Sequence, residues 1–381
     1  MTSFNSRGVW RRVHRWIAIV LMVLLVPISL SGSLLVWREP LDALLHPARH
    51  ATTGPEMALS AAAYLANAQA AAGPELQVTA LQFPHEAGRP VTVTARSRAV
   101  ARRLVTVYLD PPTGRVLDVV DFRASFLGLL HRFHENLMVP EFSGRAVVGW
   151  AGTGMLVLSL TGLWMCWPRG TSTSGLRWRR SSMTSANWHR LVGFWISLPL
   201  AIVSATGIYI AFPQTAHSVT SSVMETTQQG GRHGAGEVVR DPALTPDRAL
   251  AIARMKAPGT IPAAISLPTR SAGRAEGQAA ANWRVDLRDA HGPTATIILV
   301  DDRAAISRRL AEPPPGDRAA QWIRWVHEGS HTGSAWRLAV FVCGLCPTLL
   351  AITGLTIWLR GRTLRRVDKR PGEVVAVGAA E

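Results

Sequence analysis

Four stretches of this sequence lack the mixture of apolar and charged positions that marks a soluble chain. Trp16 to Trp37, Ala146 to Trp167, Leu191 to Phe212 and Leu338 to Leu359 contain no Asp, Glu, Lys or Arg, and each is 22 residues long. At about 1.5 Å per residue such a run reaches roughly 33 Å, against a hydrocarbon core of about 30 Å. Four transmembrane helices are predicted. Between them the pattern changes. After the first span, Leu59 to Ala72 is alanine-rich with helical spacing, and LQVTALQFP, RPVTVTARS and RRLVTVYLDPPTGRVLDVVD alternate as antiparallel strands do. Asp110-Pro111-Pro112-Thr113-Gly114 predicts the turn between the last two strands. Ser125 to Met138 predicts a short amphipathic helix leading to the second span. After the third span the same order returns. A flexible linker around TTQQGGRHGAGEV precedes a helix over Thr245 to Lys256 and strands over Ile261 to Pro268, Trp283 to Arg288 and Thr294 to Val300. LVDDRAAIS stands where YLDPPTGRVL stood before.

The spans themselves repeat. Val13 to Trp37 and Asn187 to Phe212 each open on a His-Arg pair (His14-Arg15, His189-Arg190), carry a proline partway (Pro27, Pro199) and close on an aromatic. In both, a Ser-Gly or Thr-Gly pair follows at the same offset, eighteen residues separating His14 from Gly32 and His189 from Gly207. The predicted fold is a membrane bundle of four transmembrane helices in two parallel repeats, with two extracytoplasmic α+β modules. The expected boundaries are an arm and first helix over 1–37, a first external module with its lead-in over 38–145, and a second helix over 146–167. A basic connector over 168–190, a third helix over 191–212, a second external module over 213–337, a fourth helix over 338–359 and a tail over 360–381 complete the chain.

Composition agrees with a membrane protein: 48% of the 381 residues are hydrophobic and the mean hydropathy is positive. Charge sets the orientation. The N-terminal arm, the connector and the tail hold fifteen Arg and Lys against three acids, supplying +12 of the formal +16. That basicity marks cytoplasmic flanks rather than nucleic-acid binding, and places both termini inside. The first span is too long for a signal peptide and SLSGSLLVWREP has no clear cleavage site, so it reads as an uncleaved anchor. Cys166, Cys343 and Cys346 fall within spans, and the C-x-x-C they include reads as packing. No G-x-G-x-x-G follows a strand and there is no P-loop, so neither a dinucleotide site nor ATP hydrolysis is encoded.

Histidines carry the candidate chemistry. In this orientation His14 and His189 lie at the inner surface, whereas His131, His134, His327 and His331 lie at the outer one. Singly, a boundary histidine reads as an interfacial polar residue; as matched sets these read as functional, since ionisable groups at membrane depth are costly. Two opposed neutral imidazoles suit a six-coordinate haem iron, each giving one ring nitrogen to the metal and its other N–H to an acceptor. Two b-type haems, one near each face, would form an electron path across the bilayer. Arg15, Arg190, Arg132 and Arg324 are candidate partners for haem propionates. His131 and His134 lie three apart, and His327 and His331 four apart, so either member of each couple fits. A zinc or copper site would need a ligand cluster that the sequence does not show. His46, His50, His85, His217, His233 and His291 read as solvated.

Certain motifs resemble a known family. HRW from His14, LHRFHE from Leu130, SGRAVVGW, NWHRLVGFW, VHEGSHTGSAWRLAVF and AITGLTIWL are similar to the PepSY-associated transmembrane proteins, which include bacterial inner-membrane ferric-siderophore reductases. The external segments look like PepSY modules, with YLDPPTGRV close to that module's turn. The resemblance covers nearly the whole chain. It implies reduction of a ferric siderophore or another ferric chelate outside the bacterial inner membrane, with electrons reaching haem from quinol or a separate reductase on the cytoplasmic side. By register His134 and His327 look like the family positions, with His131 and His331 additional. Two other readings compete: a permease subunit for iron or its chelate that carries no haem, and a haem-free regulatory protein whose external modules bind peptides or a protease.

Overall fold

The computed structural model describes residues 6–97, 103–139, 141–167, 184–227, 237–270, 281–289 and 295–367. Most of the basic connector, His233, His291 and the tail beyond Val367 lie outside the described residues. The helices are α1 (Ser6–Val36), α2 (Arg38–Leu45), α3 (Ala61–Ala72), α4 (Phe126–Asn136), α5 (Glu141–Cys166), α6 (Ser185–Ala211), α7 (Pro213–Ser221), α8 (Pro246–Lys256), α9 (Pro315–Glu328) and α10 (Ser334–Val367). The strands are β1 (Leu76–Gln82), β2 (Val91–Ser97), β3 (Leu104–Leu109), β4 (Val116–Asp121), β5 (Glu237–Val238), β6 (Ile261–Arg270), β7 (Asn282–Arg288), β8 (Ala295–Asp301) and β9 (Ser307–Arg309). The chain forms two compact units, one built on the long helices and one on the strands.

Among the described residues four helices are long and apolar enough to cross a membrane: Arg7–Val36, Ser143–Cys166, Ser185–Ala211 and Ser334–Thr363. In the bundle α1 packs on α5 and α10, and α6 packs on the same two, so the repeats alternate around it. Small residues permit the approach. A methyl on Gly344 of α10 would stand 2.5 Å from Ser33 Cβ and 2.7 Å from the Ser29 carbonyl of α1. On α5, Gly149 sits under Phe212 and Gly154 under Leu21. Between the two ends Leu25, Ala151, Met155, Ile196, Leu200 and Cys343 pack together, with Cys346 against them, and the buried hydroxyls of Ser159 and Ser197 bond carbonyls of their own helices. All three cysteines are free thiols. Val20, Val23, Trp150, Leu160, Trp195 and Leu198 are exposed on the outside of the helices, as lipid contact requires.

Two arginines near the start of α5 and α10 play matching parts. Arg145 donates through Nη2 to the Ile210 carbonyl at 2.8 Å, and Arg337 through Nη2 to the Val36 carbonyl at 2.9 Å. Each places a cation on the last turn of α6 or α1, where carbonyls lack intrahelical donors and the helix dipole is negative. Composition alone had counted these arginines only as charge.

In the other unit, nine strands form one sheet, ordered β4-β3-β2-β1-β6-β7-β8-β9, with β5 paired to β6. The two small sheets expected from the repeats are therefore continuous. The seam is antiparallel, with Ala80 opposite Ser266, Leu81 opposite Ile265 and Gln82 opposite Ala264. β5 and β9 were not anticipated from alternation, being two and three residues long. α3 and α8 cover one face, where Tyr64, Leu81, Val93, Val107, Ile265, Trp283 and Val285 are fully buried. The second repeat also caps the first: Asp247 at the start of α8 accepts from the amides of Ala61 and Ala62 at the start of α3, at 2.8 and 3.2 Å.

The two hairpin turns recognised as equivalent each hold a buried carboxylate, at positions one apart: the turn backbone aligns Asp110 with Asp301, but the buried side chain of the second turn is that of Asp302. Asp110 accepts from the Thr53 amide and hydroxyl, both at 2.7 Å. Asp302 accepts from the amides of Ala243 and Leu244 at 2.9 and 3.1 Å and from the Trp283 indole at 2.8 Å. Each anchors the segment that enters the helix of its own repeat. His46 and His50 depart from the solvated reading. Both contact Asp42, at 3.2 and 2.9 Å, which also pairs with the buried Arg49, while Arg49 reaches Asp118 at 2.9 Å and stacks over Tyr108.

Candidate functional site

Each repeat presents two histidines, and each ring is held by a different helix of its own repeat. His14 on α1 reaches α5, where its Nδ1 lies 2.8 Å from Thr161 Oγ1; His189 on α6 reaches α10, where its Nδ1 lies 3.0 Å from Thr353 Oγ1. At the opposite end of the bundle His134, on α4, places Nδ1 2.9 Å from the Ile28 carbonyl and 3.2 Å from Ser31 Oγ, both on α1. His327, on α9, places Nδ1 3.0 Å from the Val203 carbonyl and 3.3 Å from Thr206 Oγ1, both on α6.

The tautomer follows from the partners. A carbonyl oxygen only accepts, so Nδ1 of His134 and His327 carries the hydrogen. Thr161 and Thr353 give their own hydrogens to carbonyls one turn back, Val157 at 2.7 Å and Leu349 at 2.8 Å, so their oxygens accept from the imidazoles. In all four neutral rings Nε2 is left with its lone pair, the state a metal ligand needs.

A glycine seats each ring. A methyl on Gly32 would come within 2.6 Å of His134 Cε1, one on Gly207 within 2.9 Å of His327 Cε1, one on Gly354 within 3.2 Å of His189 Cε1 and one on Gly162 within 3.6 Å of His14 Cε1. These are the glycines of the Ser-Gly and Thr-Gly pairs. The eighteen-residue offset that marked the repeat is five helical turns, which puts His14 and Gly32 on one face of α1 and His189 and Gly207 on one face of α6. That signal was present in the sequence, but there it served only to align the copies.

Across the repeats the rings pair. His134 and His327 have centroids 6.3 Å apart with an interplanar angle of 38°. Burial, followed by the neighbouring His327, lowers the His134 imidazole from 6.5 to about 4, and burial likewise lowers His327. Both are therefore neutral near pH 7. His14 and His189 stand within electrostatic reach of each other at the other end.

Of the remaining candidates, His131 acts electrostatically on His134 and Arg324 on His327. His131 is half-exposed with Nε2 3.9 Å from Glu135, and His331 is exposed, in a left-handed backbone conformation (φ 54°), with its ring 4.9 Å from that of Trp325. Arg15 and Arg190 are exposed, Arg190 donating to Asn187 Oδ1 at 3.2 Å; Arg132 is half-buried and Arg324 lies 4.0 Å from Glu328. Sequence reasoning passed over Arg7, whose guanidinium lies over Trp164 and whose buried Nε has no hydrogen-bond partner among the described residues. It makes a further candidate for an anionic group at the His14 end. Among the described residues no group of three or more His, Cys, Asp or Glu surrounds one point.

The model of the family described as "PepSY-associated TM region" matches residues 11–361. None of the curated proteins matches the chain.

Proposed function

This chain belongs to the family of PepSY-associated transmembrane regions, and on that premise we propose that it is a two-haem electron-transfer protein of the bacterial inner membrane. In this reading it delivers electrons from the cytoplasmic side, or from quinol, to a ferric siderophore or another ferric chelate in the periplasm. The observation that carries the reading is the facing pair His134 and His327. Metal–imidazole bonds are about 2.0 Å, so two imidazoles that share one metal ion through their bare nitrogens would have ring centres about 6 Å apart. The centroid distance here is 6.3 Å.

The donor set supports haem over a metal held by protein alone. Each pair offers two neutral nitrogens, which suits an iron whose other ligands come from a porphyrin. His134 and His327 would hold one haem, and His14 and His189 the other. When bound, haem supplies a reversible one-electron couple at each end of the bundle. The chain's own residues do the rest. Ile28, Val203, Thr161 and Thr353 keep the Nδ1 hydrogens engaged, and the four glycines leave room for the rings. Between the pairs Leu25, Ala151, Met155, Ile196, Leu200 and Cys343 form an apolar cluster. Arg15, Arg190, Arg132 and Arg324, with Arg7, are the cations available to propionates. The N-terminus and the start of α6 are taken as cytoplasmic, because the Arg-rich flanks lie there.

The test is the visible spectrum of the purified protein, oxidised and dithionite-reduced, with haem supplied during expression. Sharp α and β bands on reduction are the expected result, and an oxidised ferric chelate should bleach them. A colourless protein with saturable iron uptake would favour the permease reading. Activity that survives replacement of His14 or His189 would favour the haem-free regulatory one.

A further inference from the structure

The two ends of the bundle hold their imidazoles by different means. His134 and His327 donate to main-chain carbonyls at 2.9 and 3.0 Å, with Ser31 and Thr206 farther off at 3.2 and 3.3 Å. No substitution of a side chain removes those carbonyls. For His14 the acceptor is a side-chain hydroxyl, Thr161 at 2.8 Å, and for His189 it is Thr353 at 3.0 Å, with the Leu350 carbonyl also within its reach.

We propose that Thr161 and Thr353 are positioning residues that fix the tautomer of His14 and His189 and lower the reduction potential of the centre those two rings form, while Ser31 and Thr206 have no such role at the opposite pair. The potential half of this rests on the function proposed above. Each threonine hydroxyl is turned by its own bond to Val157 or Leu349, so its oxygen presents a lone pair and no hydrogen to the ring. An imidazole in contact with it keeps its hydrogen on Nδ1 and its lone pair on Nε2. Partial withdrawal of the Nδ1 hydrogen makes Nε2 a stronger donor, which stabilises ferric iron over ferrous. Valine has threonine's shape without the acceptor. Thr161→Val would leave His14 free to carry its hydrogen on Nε2, where it blocks ligation. The effect at His189 is smaller, because the Leu350 carbonyl remains.

Two measurements on the full-length chain test this. The first needs no haem: nitrogen NMR of ¹⁵N-histidine-labelled protein in bilayers, with the His14 signals assigned by their loss in His14→Ala. Wild type should show Nδ1–H and a bare Nε2 at residue 14. Thr161→Val should show a mixture of tautomers, and Thr161→Ser should restore the single form, which separates acceptor chemistry from packing. The second is a potentiometric titration of haem-loaded protein. Thr161→Val should raise one of the two midpoint potentials, Thr353→Val should raise the same one by less, and Ser31→Ala and Thr206→Val should leave both in place. An unchanged tautomer in Thr161→Val overturns the proposal, as does a shift in Ser31→Ala equal to that in Thr161→Val. A protein that takes up no haem sinks the electron-transfer function, and the NMR result then still decides the role of Thr161.

Discussion

Space at four glycines sets the finest limit on the site. A methyl at Gly32 would need His134 to move, its contact to Cε1 being 2.6 Å and to Nδ1 3.1 Å. At Gly162 the nearest ring atom would lie at 3.6 Å, an ordinary van der Waals distance. Four alanine substitutions should therefore form a graded series. On the proposed two-haem function, Gly32→Ala and Gly207→Ala should lose about one haem per chain, Gly354→Ala should weaken retention, and Gly162→Ala should behave as wild type; haem-to-protein ratio and thermal stability check the order. That His14 and His189 stand at one end of the bundle was legible because they sit where apolar spans begin. Helical spacing did not separate His134 from His131; only the register of the family resemblance favoured His134. Residues three apart share a broad helix face, and only the tertiary position of α1 decides which ring meets Gly32.

At the scale of the elements, the carboxylates of the strand unit decide how loops enter helices. Asp302→Ala would leave two main-chain amides and the buried Trp283 indole without an acceptor. At about 1–3 kcal/mol for each buried group left unpaired, the loss should be at least about 3 kcal/mol of unfolding free energy, read by denaturant titration. Asp42 adds a pH signature. Its burial would raise its pKa, but hydrogen bonds from His50 and Arg49, with the Arg49 charge, outweigh that and hold it below the usual 3.8. A carboxylate with a depressed folded pKa contributes stability above its unfolded value, and that contribution disappears as pH falls through the folded one. The stability gap between wild type and Asp42→Asn should hence be full above about pH 4 and close in more acid solution. YLDPPTGRV announced its turn through proline and glycine, and LVDDRAAIS could be aligned to it. What Asp110 and Asp302 bind was hidden, since Thr53 and Ala243 lie 57 and 59 residues away. The joining of two sheets at β1 and β6 was hidden for the same reason: both strands alternate as any half-buried strand does, and pairing partners leave no local mark.

For the whole molecule the question is which histidines work together. Along α1 the seventeen residues from His14 to Ser31 correspond to about 26 Å, so the two rings of one repeat lie at opposite ends of the bundle. Each finds its counterpart in the other repeat. Had each repeat built its own centre, His14 and His134 would act as one unit and either variant would remove the same spectral component. The observed pairing demands a different grouping. His134→Ala and His327→Ala should abolish the same component, and the double variant should lose no more than either alone. His14→Ala and His189→Ala should together define the other component. His14→Ala combined with His134→Ala, both in the first repeat, should remove all haem. Low-temperature difference spectra of the six variants, normalised to protein, distinguish the two groupings without any assay of turnover. An identical residual spectrum in His14→Ala and His134→Ala would break the cross-repeat pairing on which the proposed electron path depends. Duplication followed by pairing also explains why a seat and a ring lie on one face of both α1 and α6: the fold needs each repeat to supply half of both sites.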